Sequence, residues 1–426
     1  MQSSAIKTVA IIGGGPAGLM AAEALCSKGI AVDIYDAMPS LGRKFLMAGK
    51  SGLNLTHAEP FTAFMTRFAD AEAPMTPILE ALSPNAIQTW AHGLGIETFV
   101  GSSGRVFPLE FKAAPLLRAW LRRLRAAGVR IHVRHKWTGW AADGTLTFQT
   151  PAGEVLAKTD ATILALGGAS WPQLGSDGAW VTPLQSKGVT VAPLQPANCG
   201  FDVAWSAHMR EKHQGEPLKG IKISIDGHTA GGECMITEDG LEGGPIYALS
   251  GVIRNAITKH GSATIQIDFA PDLNASTLAT RLAKPRGKKS MATHLRRTVS
   301  MSGAKAALLR EGVDLADYTA PDKLAARIKA LPITLLRPRP IVEAISSAGG
   351  IIWADLTDEL ELKHMSGVFV AGEMLDWDAP TGGYLLSGCM ATGKWVGDAV
   401  ARRLGRNLDA AVGKNNAHDP ACSGVS

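Results

Sequence analysis

The residues in this 426-residue chain that most directly imply a chemistry are Gly13, Gly15 and Gly18, spaced Gly-x-Gly-x-x-Gly. They follow the apolar run KTVAII and open LMAAEALCSKG, which ends at Gly29. Gly13 permits a tight turn, Gly15 lets the backbone approach a pyrophosphate, and Gly18 lets a helix pack closely on a strand. Free N–H groups and the positive dipole end at the helix start attract phosphate. Pro16 and Ala17 lie inside this turn and are assigned to the same nucleotide site. Asp36 ends the next run, IAVDIY, 18 residues beyond Gly18, where a carboxylate accepts from ribose hydroxyls and disfavours a 2′-phosphate. The glycines alone are a weak signal; with strand, helix, second strand and acid in order they predict dinucleotide binding.

A second constellation lies far downstream in GVFVAGEMLDWDAPTGGYLLSG (367–388). It reads as a strand ending in Gly372-Glu373, a loop, and a helix starting at Gly382-Gly383. In FAD enzymes of the glutathione reductase type, a late strand ends in Gly plus an acid that holds the ribityl chain. A following helix there points its N-terminus at the flavin, where it stabilises the negative charge of the reduced ring. The pattern therefore predicts FAD, the alternative being an ordinary strand-to-helix turn. Gly167, where ATILALGG (161–168) runs into glycines, and Lys44, on a Gly-rich stretch (42–57), join the predicted cofactor contacts. Lys44 is otherwise a solvated lysine. Candidate catalytic groups are Asn54, to hydrogen-bond a substrate carbonyl; Glu238, four residues before Glu242 and open to acid/base work if burial raises a pKa; and Tyr384, to donate a proton or simply to pack.

The elements that must position these groups alternate β and α over 7–35, so the fold class is α/β, a doubly wound FAD-binding domain. Ser83-Pro84 is a helix start, 112–127 a basic helix stopped by Gly128, 129–133 a strand, and 145–158 a hairpin. From 191 to 272 short alternating segments such as IKISI and TIQID dominate, and from 273 to 330 the composition is helical. The expected organisation is an FAD domain of 1–190 and 340–405, an insert of 191–339, and a flexible tail from 406 to 426. Residues 42–57 show no period and read as a loop.

Five scattered cysteines without C-x-x-C, and histidines without H-x-x-x-H, argue against a disulfide framework or a metal site. The absence of a run of about 20 apolar residues argues against a membrane span and suggests a cytoplasmic protein. With one dinucleotide fingerprint, NAD(P)H is expected only as a transient reductant at the flavin. Eight cations and no acid lie between Glu110 and Asp143, and nine cations and no acid between Asp272 and Glu311. These stretches, 112–136 and 281–310, are ordinary solvated surface or, if they converge, a footprint for structured RNA. No DNA or membrane partner is expected.

The chain resembles the HI0933-like flavoproteins through GGGPAG, GRKFLMAGKSGLN (42–54), GRVFP (104–108), LALGGASWPQLGSDG (164–178), SAGGI (347–351) and GEMLDWDAPTGGY (372–384). The resemblance implies an FAD domain interrupted by a β-barrel-like domain with helices. It also implies FAD-dependent reduction, either of an activated carbon–carbon double bond in a small molecule or of uridine to dihydrouridine in ribosomal RNA. A non-catalytic FAD redox sensor is the reading from a different class. Where the family has GGGRCN this chain has GKSGLN, so Leu53 replaces a cysteine and Asn54 is kept. Where the family has THTGLSGP, Glu238 and Glu242 replace a histidine and a serine. Chemistry that depends on that cysteine or histidine does not carry over.

Overall fold

The computed structural model describes residues 6–26 and 28–416. They form two compact units, one within 6–194 and 348–416 and the other Gln195–Ser347, each with its own hydrophobic core.

In the first unit, strand β1 (Thr8–Ile12) leads through helix α1 (Pro16–Leu25) to β2 (Ala31–Asp36). A short helix α2 (Arg43–Ala48) and the basic helix α3 (Ala113–Ala126) precede β3 (Arg130–Val133). Then come β4 (Ala161–Leu164) and, after the second unit, β5 (Val368–Val370) and the long helix α4 (Tyr384–Asn416). The five strands pair in parallel in the order β3-β2-β1-β4-β5. Buried apolar runs such as VAII in β1 and ATIL in β4 suit central parallel strands covered on both faces. Helices α1 and α4 meet backbone to backbone: a Cβ at Gly393 would lie 2.1 Å from the Ala17 carbonyl oxygen, and one at Gly397 2.7 Å from that of Ala21.

The Ser83 hydroxyl accepts from the Ala86 N–H (3.3 Å) and caps the helix Pro84–His92. The 145–158 hairpin belongs to a three-stranded meander whose third member is Lys136–Trp140. One expectation needs correction. The stretch 42–57 is not all loop, since it holds α2 and the two-residue strand Thr56–His57; six residues are too few to show a helical period. Helix α4 continues through Asn416; of the tail expected from 406, residues 417–426 lie outside the described residues.

In the second unit, six antiparallel strands run in the order Phe201–Asp202, Gly240–Gly243, His228–Ile236, Pro217–Ile225, Ala263–Asp268, Leu331–Leu335. The sheet closes on itself. Asp202 N–H donates to the Arg337 carbonyl (2.9 Å), Leu336 N–H to that of Asp202 (2.9 Å), and Arg339 N–H to that of Gly200 (2.8 Å). At this seam the Asp202 carboxylate pairs with both Arg337 and Arg339. The segment read as β-rich also contains helices Ala207–His213 and Ser250–His260, and the last barrel strand follows the helical stretch. Closure is thus a long-range pairing that local patterning does not report.

Candidate functional site

A cavity of about 570 Å³ opens in the first unit at the carboxyl ends of β1, β2, β4 and β5, with Ile12–Ala17, Tyr35–Met38, Ala165–Gly167 and Ala371–Glu373 in its wall. Strand order reverses between β1 and β4, and the crevice at such a reversal is where doubly wound sheets bind ligands.

The fingerprint turn shows why glycines are needed. Gly13 has φ +108°, and a Cβ there would lie 2.2 Å from the Ala165 carbonyl oxygen; at Gly18 it would lie 2.0 Å from that of Gly13. At Gly15 it would meet nothing within 4 Å, because that side of the backbone faces open space. Gly15 is the N-cap of α1 and supplies no side-chain acceptor, and Pro16 follows it. An uncapped helix start, bare of side chains and set in the cavity wall, fits a pyrophosphate.

Both Asp36 oxygens accept backbone hydrogen bonds, one from Gly14 N–H (2.8 Å) and the other from Met38 N–H (2.7 Å). Burial pushes the Asp36 carboxyl upward, against these two bonds and the field of Arg43. Asp36 therefore pins the fingerprint turn, and its remaining lone pairs are available for ribose hydroxyls.

At another part of the wall three distant segments converge. Lys44 of α2 donates to the Ser170 hydroxyl (2.7 Å) and to the Glu373 carboxylate (2.9 Å). Its ammonium is thus held in place rather than freely solvated. Gly167 (φ +74°) presents its carbonyl to the Trp180 indole N–H (2.8 Å). Gly372 (φ +80°) donates to Thr392 (3.0 Å) and packs against Ala17, where a Cβ would come within 2.9 Å of the alanine methyl. Gly382 and Gly383 do precede a helix, α4, but are not among the residues lining the cavity. A Cβ at Gly383 would lie 2.5 Å from backbone atoms of Thr56, so this turn is pressed against the strand that follows Asn54.

The candidate catalytic residues fall in different surroundings. Asn54 is partly buried, and its Oδ1 is buried without a hydrogen-bond partner. Tyr384 is buried, stacks on His57 (centroids 5.2 Å apart) and donates its hydroxyl to Glu59. Burial, reinforced by the Glu59 carboxylate, holds the Tyr384 hydroxyl protonated well above the usual phenol range. Glu59 in turn takes Arg67 (2.8 Å), and the bonds from Arg67 and Tyr384 keep its carboxyl below the usual range although burial works the other way. Glu238 is exposed on the turn between strands His228–Ile236 and Gly240–Gly243 of the second unit, and neither it nor Glu242 lines the cavity.

Sequence reasoning missed Ser170 and the Glu59–Arg67 pair beneath Tyr384. Ser170 lay inside LALGGASW, where its place beside the glycines was the available hint; Glu59 and Arg67 carry no pattern. The basic helix α3 is less free than its composition suggested. Arg123 pairs with Glu23 (2.6 Å), and Arg130, just beyond the helix, pairs with Asp33 through two nitrogens (2.7 and 2.5 Å). Among the described residues no group of His, Cys, Asp and Glu could hold a metal ion, and no helix is long and apolar enough to cross a membrane.

The model of the HI0933-like protein Rossmann domain matches residues 7–399. The chain belongs to the HI0933-like family. Its Rossmann fold is of the FAD-binding type, and the turn, acid and lysine–glutamate pair described above fit FAD. This HI0933-like protein is 28% identical over 426 aligned residues, 93% of its own length and all of the other's, to a 3-dehydro-bile acid delta(4,6)-reductase of Clostridium scindens. Its fold is shared with a 3-ketosteroid delta1-dehydrogenase from Sterolibacterium denitrificans, solved in complex with 1,4-androstadiene-3,17-dione. That match has a TM-score of 0.52 at 10% identity and covers 93% of this chain and all of the other.

Proposed function

We propose that this protein is an FAD-dependent oxidoreductase that reduces an activated carbon–carbon double bond in a small molecule, with NAD(P)H as electron donor. The observation that carries the reading is the cavity itself, framed by the Gly13–Gly18 turn, Asp36 and the Lys44–Glu373 pair, in a chain that aligns along the full length of a delta(4,6)-reductase. Bound FAD would supply the two-electron chemistry, a hydride delivered to an electron-poor carbon.

The protein's own residues then have separable tasks. The start of α1 binds the pyrophosphate and Asp36 the ribose. Lys44, fixed between Ser170 and Glu373, keeps a positive charge in the wall and favours a ligand that gains negative charge there. Tyr384 keeps its hydroxyl protonated, but it lies outside the residues lining the cavity and is bonded to Glu59, so it would donate to a substrate carbanion only by giving up that bond. Asn54 has a buried amide oxygen without a partner but is not among the residues lining the cavity, so it would accept from a substrate hydroxyl or enol only if that oxygen became accessible. Glu238 lies exposed on its turn in the second unit and is not among the residues lining the cavity.

Anaerobic rapid mixing tests this reading. The yellow protein should bleach with NADH or NADPH, and the reduced protein should reoxidise on adding a cyclic enone. A protein that bleaches but reoxidises with no double-bond acceptor would point to a redox sensor instead.

A further inference from the structure

We infer that the second unit carries a binding site for a small phosphate-bearing molecule, separate from the FAD cavity and from the proposed reductase chemistry. The site is a cavity of about 250 Å³ whose wall includes Lys284, Arg286 and His294, with Leu282 and Leu324 as apolar surface.

Three observations define its chemistry. His294 is only 6% exposed, and its Nε2 lies 2.9 Å from the Leu282 carbonyl oxygen. A carbonyl only accepts, so the hydrogen sits on Nε2. The other ring nitrogen, Nδ1, has no partner among the described residues. With the hydrogen on Nε2, Nδ1 is an acceptor, suited to a hydroxyl of the bound molecule.

Lys284 and Arg286 follow on the loop after helix Ala275–Leu282. Both are exposed, and no acid comes within 4 Å of either among the described residues. This contrasts with Arg123 and Arg130 of the first unit, which are consumed by Glu23 and Asp33.

Helix Pro321–Lys329 begins at the same wall, contributing Pro321 and Leu324, and Ala320 at its N-cap offers no side-chain acceptor. Its positive dipole end, partly offset by Asp322 in the first turn, adds to the two cations. Asp317 and Asp322 are not among the lining residues, and Asp317 is paired with Lys323 (2.6 Å). A cavity this size is small for a drug-sized ligand and suits a phosphoryl or pyrophosphoryl group carrying a short remainder.

Titration calorimetry of the FAD-loaded protein with inorganic pyrophosphate, at about 150 mM salt, tests the inference. Saturable binding is expected, weakened at least tenfold in Lys284→Ser/Arg286→Ser, with the flavin spectrum unchanged. His294→Gln should weaken it as well. Should that buried substitution unfold the protein, the surface double variant still decides. No binding up to about 10 mM pyrophosphate, or equal binding by wild type and the double variant, overturns the inference. So does a short oligouridylate that binds through these two cations when pyrophosphate does not.

Discussion

Gly15 and Gly18 lie three positions apart in one turn, yet their surroundings predict opposite defects. Replacing Gly15 by Ala puts a methyl into open space at an ordinary extended backbone (φ −81°, ψ −177°). Restricting the unfolded chain gains about 0.4–1 kcal/mol, while losing glycine at an N-cap costs a similar amount. The FAD-free Gly15→Ala protein should therefore stay within about 1 kcal/mol of wild type. Its methyl nonetheless points where the pyrophosphate must approach. If FAD affinity falls 100-fold, stabilisation by FAD at 100 times the wild-type Kd drops by roughly 2.3 kcal/mol, from about 2.7 to about 0.4.

Gly18→Ala is the converse. Its methyl would sit 2.0 Å from the Gly13 carbonyl oxygen and 3.1 Å from a methyl of Ile11, so α1 must move away from β1 by more than about 1 Å. An overpacking cost of about 1–3 kcal/mol should appear even without FAD. Denaturant unfolding of both apoproteins, followed by FAD titration read from flavin fluorescence, separates the two. Wild-type FAD affinity in Gly15→Ala and in the bulkier Gly15→Val, or an apo Gly15→Ala as unstable as Gly18→Ala, would refute the reasoning.

Lys44→Met leaves the Glu373 carboxylate, 12% exposed, without its cation; the flavin midpoint potential should fall, and an unchanged potential in dye-coupled reductive titration removes Lys44 from the flavin's electrostatics. Tyr384→Phe keeps the ring packing and the Glu59–Arg67 pair. Flavin reduction should proceed at the wild-type rate while reoxidation by an enone slows about 100-fold; equal reoxidation rates would make Tyr384 a packing residue. Glu59 has a folded-state pKa below its unfolded value, so it contributes stability above the unfolded value of about 4.3 that is lost as pH falls. The advantage of wild type over Glu59→Gln should accordingly be present at pH 7 and vanish in acid; an advantage that persists or grows toward pH 3 would contradict the pairing.

What could be read from the residues was chiefly what is local. The Gly13–Gly18 turn, its strand and helix, and Asp36 all fall within a span where backbone conformation and spacing decide the outcome. That Asp36 spends two lone pairs on Gly14 and Met38 is a matter of three-dimensional geometry and leaves no trace in spacing. Lys44 and Glu373 were each suspected, but their ion pair joins positions 329 residues apart, and no local pattern reports such a contact. Gly382-Gly383 illustrates the reverse difficulty. The pattern correctly marked a helix start, while the close approach demanding Gly383 is to the backbone of Thr56. The barrel of the second unit closes through Leu336–Arg339, after five helices, so its last pairing was invisible to a reading that follows the chain in order.

The interruption of the parallel sheet has a consequence for how this protein is born. Strand β4 needs β5 on its outer edge, yet about two hundred residues separate them and the whole second unit is translated in between. At ribosomal speeds of about 5–20 residues per second, the nascent β4 waits roughly 10–40 s for its partner. During that interval it presents an unpaired apolar edge, and α1 lacks the long helix that later covers Gly18's neighbours Ala17 and Ala21. The first three strands can bind each other early, but the nucleotide crevice gains its Gly372-Glu373 wall only near the end of synthesis. Cofactor loading is therefore a late event, and a ribosome stalled within the second unit would release a chain carrying a complete Gly13–Gly18 turn with no means of closing around FAD.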